Sequence, residues 1–117
     1  MDEEKQTGKN AGEFGPEVME EYFADCRENL AKARSWLRDL ETEGTGGGAA
    51  PAAKLLKRYG HQLAGSGGTY DLPRLGEAGV RLDALMHAVL SGSQPLDRAV
   101  LVQAAVLLDD IEKFLRS

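Results

Sequence analysis

Four runs of apolar residues, each repeating at alternating intervals of three and four positions, constrain most strongly what this chain can fold into. Side chains at those intervals lie on one face of an α-helix, so each run predicts a helix that packs on one side. Segments that contain glycine or proline, which interrupt helices, separate the runs. The runs span residues 19–40, 52–63, 75–89 and 100–115.

The four predicted helices define the fold class. Aromatic residues make up only 6% of the chain, and runs of strand-forming residues are missing. Helices with one apolar face each and short connections favour an all-α fold, here an antiparallel up-down-up-down four-helix bundle. We assign residues 14–117 to this bundle and the polar residues 1–13 to a flexible leader.

Prolines mark two of the expected helix starts. Pro16 is expected in the first turn of the first helix, where a backbone N–H has no partner within the helix. Asp71 stands two positions before Pro73 and is the expected N-cap of the third helix, since an aspartate side chain accepts hydrogen bonds from first-turn N–H groups.

Charge and composition exclude several classes of function. The net charge of −5 argues against a nucleic-acid-binding protein, which needs a basic surface to neutralise phosphates. Cys26 is the only cysteine, so the chain has neither an intramolecular disulfide nor a cysteine-based zinc site. We find no signal peptide and no apolar run of the roughly 20 residues that a membrane span requires. A cytoplasmic monomer without a membrane association is expected.

His61 stands out because of the direction in which its side chain must point. Residues of a helix are rotated by about 100° each, so His61 lies nearly opposite Tyr59 and Leu63, which belong to the apolar face. His61 is therefore expected on the outer surface. His87, by contrast, has no unusual neighbours and is interpreted as an ordinary surface residue.

Basic residues surround His61 on the expected outer face. Lys54 lies seven positions before it and within about 20° of its direction, and Lys57 and Arg58 lie one turn before it. A local cluster of cations in an acidic protein attracts anions. An ordinary solvated helix face is the alternative interpretation.

The glycines after His61 have two interpretations. The helix ends near Ala64 and the glycines form a loop, or the helix continues and Gly65, Gly67 and Gly68 leave a flat patch for a partner protein. Several glycines disfavour a continuing helix by roughly 2–3 kcal/mol. We favour the continuing helix because the apolar spacing extends through residues 66–70.

Catalysis by this chain alone is not supported. Neither Ser66 nor Ser91 has a histidine at an orienting spacing, and no acidic partner for His61 is apparent in the sequence. The glycines lack the spacing of a phosphate-binding loop, and the cations near His61 oppose a metal site. An exposed imidazole, beside cations that suit a phosphoryl group, is the feature that remains.

The stretch GHQLAGSGGTYDLPRLGEAG, residues 60–79, resembles the signature of histidine-containing phosphotransfer domains, which also occur at the N-terminus of chemotaxis kinases. In that family a histidine is followed by any residue, leucine, lysine and glycine, then by small residues and a leucine-containing helix. The matching positions are His61, Leu63, Gly65, the small residues 66–68, Leu75 and Leu82.

The resemblance implies a phosphorelay function. His61 would accept a phosphoryl group on a ring nitrogen and exchange it with the aspartate of a response-regulator receiver domain or receive it from a histidine kinase. The partner would supply most of the catalysis through its own Mg²⁺, so this chain is expected to act as a phosphotransfer intermediate rather than an enzyme, without a metal or cofactor of its own.

The resemblance also assigns roles to the residues around His61. Ala64 occupies the position of the usual lysine, and the expected substitutes for stabilising the phosphoryl group are Lys57, Arg58 and Lys54. The expected partner-docking residues are Gln62, Ala64, Gly65, Gly67 and Gly68.

Two alternatives stay open from the sequence. One is a helical module that docks a receiver or kinase without transferring phosphoryl, which Ala64 favours. The other is the phosphoaccepting domain of a larger histidine kinase.

Overall fold

Four helices make up the structure, a computed structural model that describes residues 15–43 and 49–116. No strand occurs in these two ranges. The predicted leader, residues 1–13, and the glycine-rich connection at 44–48 lie outside the described residues. The helices are α1 Pro16–Glu43, α2 Ala49–Thr69, α3 Pro73–Ser91 and α4 Arg98–Arg116.

The helices pack in a ring around one core. α2 packs most extensively against α3, and α1 packs against both α2 and α4, while α4 also packs against α3. The two diagonal pairs, α1 with α3 and α2 with α4, contact each other least. This arrangement is the all-α bundle predicted from the apolar spacing.

The core consists of the residues that form the predicted apolar faces. Leu40, Leu56, Leu82 and Leu108, one from each helix, have no exposed surface. Burial of a leucine side chain stabilises a fold by about 1.5–3 kcal/mol, so these four side chains alone join the helices strongly. The three-and-four spacing therefore identified the correct side of every helix.

The turn between α2 and α3 corrects one expectation. Asp71 has a φ of 59° and forms the turn itself, so Leu72 occupies the N-cap position of α3, without a side-chain cap. The N–H groups of Asp71 and Leu72 instead donate to the carbonyls of Gly68 and Gly67, at 3.3 and 2.7 Å. These bonds satisfy carbonyl groups at the end of α2. Pro73 does lie in the first turn of α3, as expected.

Candidate functional site

His61 lies on the outer surface of α2, in the middle of an unbroken helix. α2 continues to Thr69, so the interpretation in which the helix ends near Ala64 is wrong. The His61 side chain is 78% exposed. A large reactant can therefore reach its imidazole ring directly from solvent.

Glycines bring the backbones of α2 and α3 into direct contact beneath this surface. A Cβ atom placed on Gly60 would lie 2.7 Å from the backbone of Gly79, and one on Gly67 would lie 2.6 Å from the backbone of Gly76. Real Cβ atoms do not approach backbone atoms so closely, so only glycine fits at residues 60 and 67. Because the contacting residue numbers run in opposite directions, α2 and α3 are antiparallel.

The close contact places an acidic residue beside His61. Asp83 of α3 lies at the level of Gly60, and its Oδ2 is 3.1 Å from Nδ1 of His61. The inference that His61 has no acidic partner is therefore wrong. The two residues are 22 positions apart, and only the register of α3 against α2 brings them together. No local spacing in the sequence signals such a pair.

Asp83 also holds the cation that precedes His61 by one turn. Nζ of Lys57 is 3.2 Å from Oδ1 of Asp83, so the carboxylate receives a different partner on each oxygen. Burial by itself raises the pKa of Asp83, but the hydrogen bonds and charges of Lys57 and His61 outweigh it and lower that pKa. Asp83 is therefore a carboxylate at neutral pH and accepts from both neighbours.

The bond to Asp83 determines which ring nitrogen of His61 is available. A carboxylate only accepts hydrogen bonds, so Nδ1 carries the proton and donates it to Asp83. In the neutral ring Nε2 then keeps a lone pair. Nε2 is therefore the ring nitrogen whose lone pair could act as a nucleophile.

The other two predicted cations lie on the same helix without an ion pair. Lys54 and Arg58 are both exposed, and neither pairs with an acidic residue among the described residues. Lys57 differs because its ammonium group is engaged by Asp83. The helix that carries His61 thus has two cations without an ion pair, Lys54 and Arg58, and one cation, Lys57, that is bound by Asp83.

The predicted docking residues divide into two groups. Gly65 and Gly68 are exposed, with no atom within 4 Å of a Cβ placed on either. Gln62 is exposed and Ala64 is half-buried against α3. Gly67 was wrongly included, because it is buried in the contact with Gly76 and faces no partner.

One exposed apolar residue of α3, close in sequence to Asp83, was not singled out from the sequence. Val80 lies three positions before Asp83 on α3 and is 55% exposed. Its position outside the apolar spacing of α3 accounts for this exposure.

The remaining polar and reactive side chains near α2 have structural contacts. Oγ of Ser66 is 2.6 Å from the hydroxyl of Tyr22, which ties α1 to α2. Cys26 is buried, and burial raises the pKa of its thiol. Cys26 is thus buried in the core, and Ser66 is only partly exposed. In residues 15–43 and 49–116, no three histidine, cysteine or acidic residues are grouped as metal ligands.

The described residues thus form a small all-helical protein with an exposed histidine on its second helix. A family model, Hpt domain, matches residues 17–116, which is nearly the whole chain. The chain belongs to the Hpt domain family, the histidine phosphotransfer modules of two-component phosphorelays. No significant match was found among the curated proteins or among the solved structures. Within the described residues, no helix is both long and apolar enough to span a membrane.

Proposed function

We propose that His61 is the phosphoacceptor of this Hpt domain and exchanges its phosphoryl group with the aspartate of a receiver domain. The observation that carries the proposal is the exposed imidazole whose Nδ1 is held by Asp83. This bond leaves the Nε2 lone pair available as the nucleophile on a side chain that is 78% exposed. Family membership supports histidine phosphotransfer in general, and the geometry around His61 supports this residue and this ring atom.

The transfer step requires no deprotonation of the ring, because Nε2 carries a lone pair and the ring proton is on Nδ1. The Nε2 lone pair attacks the phosphorus of the aspartyl phosphate, a P–N bond forms, and the P–O bond to the receiver carboxylate breaks. The ring now carries a positive charge because Nδ1 keeps its proton. The Asp83 carboxylate, 3.1 Å away, stabilises that charge as it develops. In the reverse step neutral imidazole is the leaving group.

Cations near His61 are proposed to stabilise the phosphoryl oxygens. Lys54 and Arg58 are exposed on the same helix, and their side chains are long enough to bend toward Nε2. Before transfer, the Lys57 ammonium group balances the negative charge of the Asp83 carboxylate. Its flexible side chain then lets the ammonium group move from the carboxylate to the phosphoryl group. Together the three cations replace the lysine whose position is taken by Ala64.

The partner is proposed to dock on the surface formed by Gln62, Ala64, Gly65, Gly68 and Val80. The two exposed glycines leave the backbone of α2 bare, so a receiver can approach Nε2 closely. The receiver supplies Mg²⁺ and the acidic pocket, so this chain is a phosphotransfer intermediate and not an enzyme in its own right.

The proposal includes the up-down-up-down topology and a cytoplasmic location. The opposite directions of α2 and α3 in their glycine contact support an alternating topology. A receiver or histidine kinase of the cytoplasm is the partner class that an exposed phosphoacceptor of this kind serves.

A transfer assay tests the proposal. A receiver domain charged with phosphoryl is mixed with the full chain, and intact-mass measurement is combined with acid and base treatment of the product. We expect one acid-labile, base-stable phosphoryl group on the wild-type chain and none on His61→Gln. His87→Gln is the matched control and should accept phosphoryl as the wild type does. Transfer to His61→Gln would contradict the proposal.

Ala64 favours a second candidate function, a docking module that binds a receiver without accepting phosphoryl. The variant Ala64→Lys separates the two candidates because it places an ammonium group one turn after His61. If His61 is a phosphoacceptor, this variant accelerates transfer. If the chain only docks, the receiver binds the wild type but transfers phosphoryl to neither protein.

A further inference from the structure

The outward side of α4 carries a row of four exposed residues at intervals of four. Val102 and Val106, at the centre of the row, are 52% and 50% exposed. Residues four positions apart form a continuous ridge on a helix, and ridges of this kind pack into the grooves of a neighbouring helix. The row is Arg98, Val102, Val106 and Asp110.

A shallow groove between α3 and α4 extends this apolar surface. Leu85 of α3 and Leu107 of α4 lie in the groove, and Val102, Val106 and Asp110 of the row form one of its edges. The two exposed valines and the half-buried Leu107 form an apolar patch beside the buried Leu85.

The charges at the two ends of the row are opposite. Neither Arg98 nor Asp110 forms an ion pair with another described residue. The neighbouring carboxylate of Asp109, in contrast, is bound by Arg34 of α1. The row thus has an open cation at one end, an open anion at the other and two valines between them.

Such a row is complementary to itself when a second copy lies antiparallel. Residues 98 and 110 are about 18 Å apart along the helix, and a two-fold axis between the valines places Arg98 opposite Asp110 at both ends. The same operation places Val102 opposite Val106 twice. No other orientation of two such rows pairs all four residues.

We propose that α4 is the contact surface of a symmetric homodimer, with a second copy of this chain as its occupant. α4 lies across the bundle from α2, so each copy keeps His61 exposed. The dimer therefore presents two independent phosphoacceptors on its outer sides. The proposed assembly differs from the monomer expected from the sequence.

The dimer is a weak one. A single helix ridge with one adjoining groove is smaller than the surface of a standard stable interface, so a dissociation constant of about 10–100 μM is expected. The two ion pairs are exposed, so added salt weakens the dimer.

Sedimentation velocity of the full chain, over about 5–500 μM at low salt, tests the proposal. The wild type should shift from monomer to dimer across this range. Arg98→Glu should raise the dissociation constant by about tenfold, because it creates like-charge contacts at both ends. The double variant R98E/D110R should restore it to within about threefold. A chain that stays monomeric throughout, or a dimer that Arg98→Glu leaves unchanged, overturns the proposal.

A second pair of variants tests the apolar centre. Val106→Asp should abolish the dimer, whereas Val80→Asp, at an equally exposed valine on α3, should leave it intact. Circular dichroism confirms that both variants fold, since neither residue belongs to the core. A dimer that survives Val106→Asp overturns the proposal. Phosphoryl transfer to His61 does not depend on the outcome.

Discussion

The two helix pairs α2–α3 and α1–α4 meet in different ways. Between α2 and α3, glycines let the backbones touch. Between α1 and α4, the rings of Phe23 and Phe114 lie 6.4 Å apart, and Arg34 reaches across to Asp109 and Glu112. Large side chains keep the second pair of backbones apart, and a long arginine is needed to bridge them.

The difference shows what the glycines contribute to function. A short aspartate side chain reaches His61 only because α3 lies directly against α2. Glycine costs a helix interior about 1 kcal/mol relative to alanine, and the α2–α3 contact offsets this cost at the buried positions. At Gly65 and Gly68 no contact offsets it, which fits a role in partner approach rather than in folding.

The largest expected effect comes from breaking the glycine contact. Gly67→Ala should lower the free energy of unfolding by about 3 kcal/mol, because its Cβ would lie 2.6 Å from the backbone of Gly76. Gly76→Ala is a sharp control, since a Cβ there would lie at an ordinary 3.6 Å from its nearest neighbour. That variant should retain wild-type stability or exceed it. Urea denaturation measures both, and equal losses in the two variants would contradict the close-contact geometry.

The next largest effect concerns Asp83. Asp83→Ala should slow transfer to His61 by about tenfold, since the ring loses the group that holds Nδ1–H and balances the developing charge. Glu77→Ala, which removes an exposed acid paired with Arg81 on the same helix, is the charge-matched control. Single-turnover transfer rates give the comparison. Equal rates in the two variants would show that Asp83 has no positioning role.

A smaller effect is expected at the α1–α4 bridge. Arg34→Ala should lower the free energy of unfolding by about 1 kcal/mol or less, because Asp109 is largely exposed and Glu112 and Arg34 are partly exposed. The loss should shrink in high salt. Arg38→Ala, at an exposed arginine one turn later, should change stability very little. Thermal unfolding in low and high salt checks both, and a salt-independent loss would argue for a packing role of Arg34.

The smallest effect is a change in the pH dependence of stability. The pKa of Asp83 is lowered in the folded state by Lys57 and His61, against the opposing effect of burial. The carboxylate therefore stabilises the fold above its ordinary pKa of about 3.9, and this contribution is lost as the pH falls through the lower folded value. Denaturation of Asp83→Asn should show a deficit at neutral pH that shrinks below about pH 4. A deficit that is constant with pH would contradict the ion-pair origin.

The fold was predictable from the sequence because the information is local. The apolar spacing of each helix depends only on residues within that helix, and Leu40, Leu56, Leu82 and Leu108 are buried where the spacing places them. The exposure of His61 followed from the same helical geometry. The prediction that Asp71 caps α3 was wrong, because Asp71 has a positive φ and belongs to the turn before the helix.

The candidate site was only partly predictable because its chemistry depends on helix register. His61 and its neighbouring cations share one helix, so their spacing revealed them. Asp83 comes from α3, and nothing in its own surroundings marks it as the partner of His61. Gly67 and Gly68 look alike in sequence, yet one faces α3 and the other faces solvent. Only the packing of α3 distinguishes them.

The protonation and phosphorylation of the His61 ring test the central claim most directly. Long-range proton–nitrogen correlation spectra would be recorded on the full chain before and after treatment with a phosphoryl donor such as phosphoramidate. The structure predicts a proton on Nδ1 beforehand, and afterwards phosphorus bonded to Nε2 with the Nδ1 proton retained. A ring with its proton on Nε2, or a phosphoryl group on Nδ1 or on another residue, would contradict the assignment of His61 and Asp83.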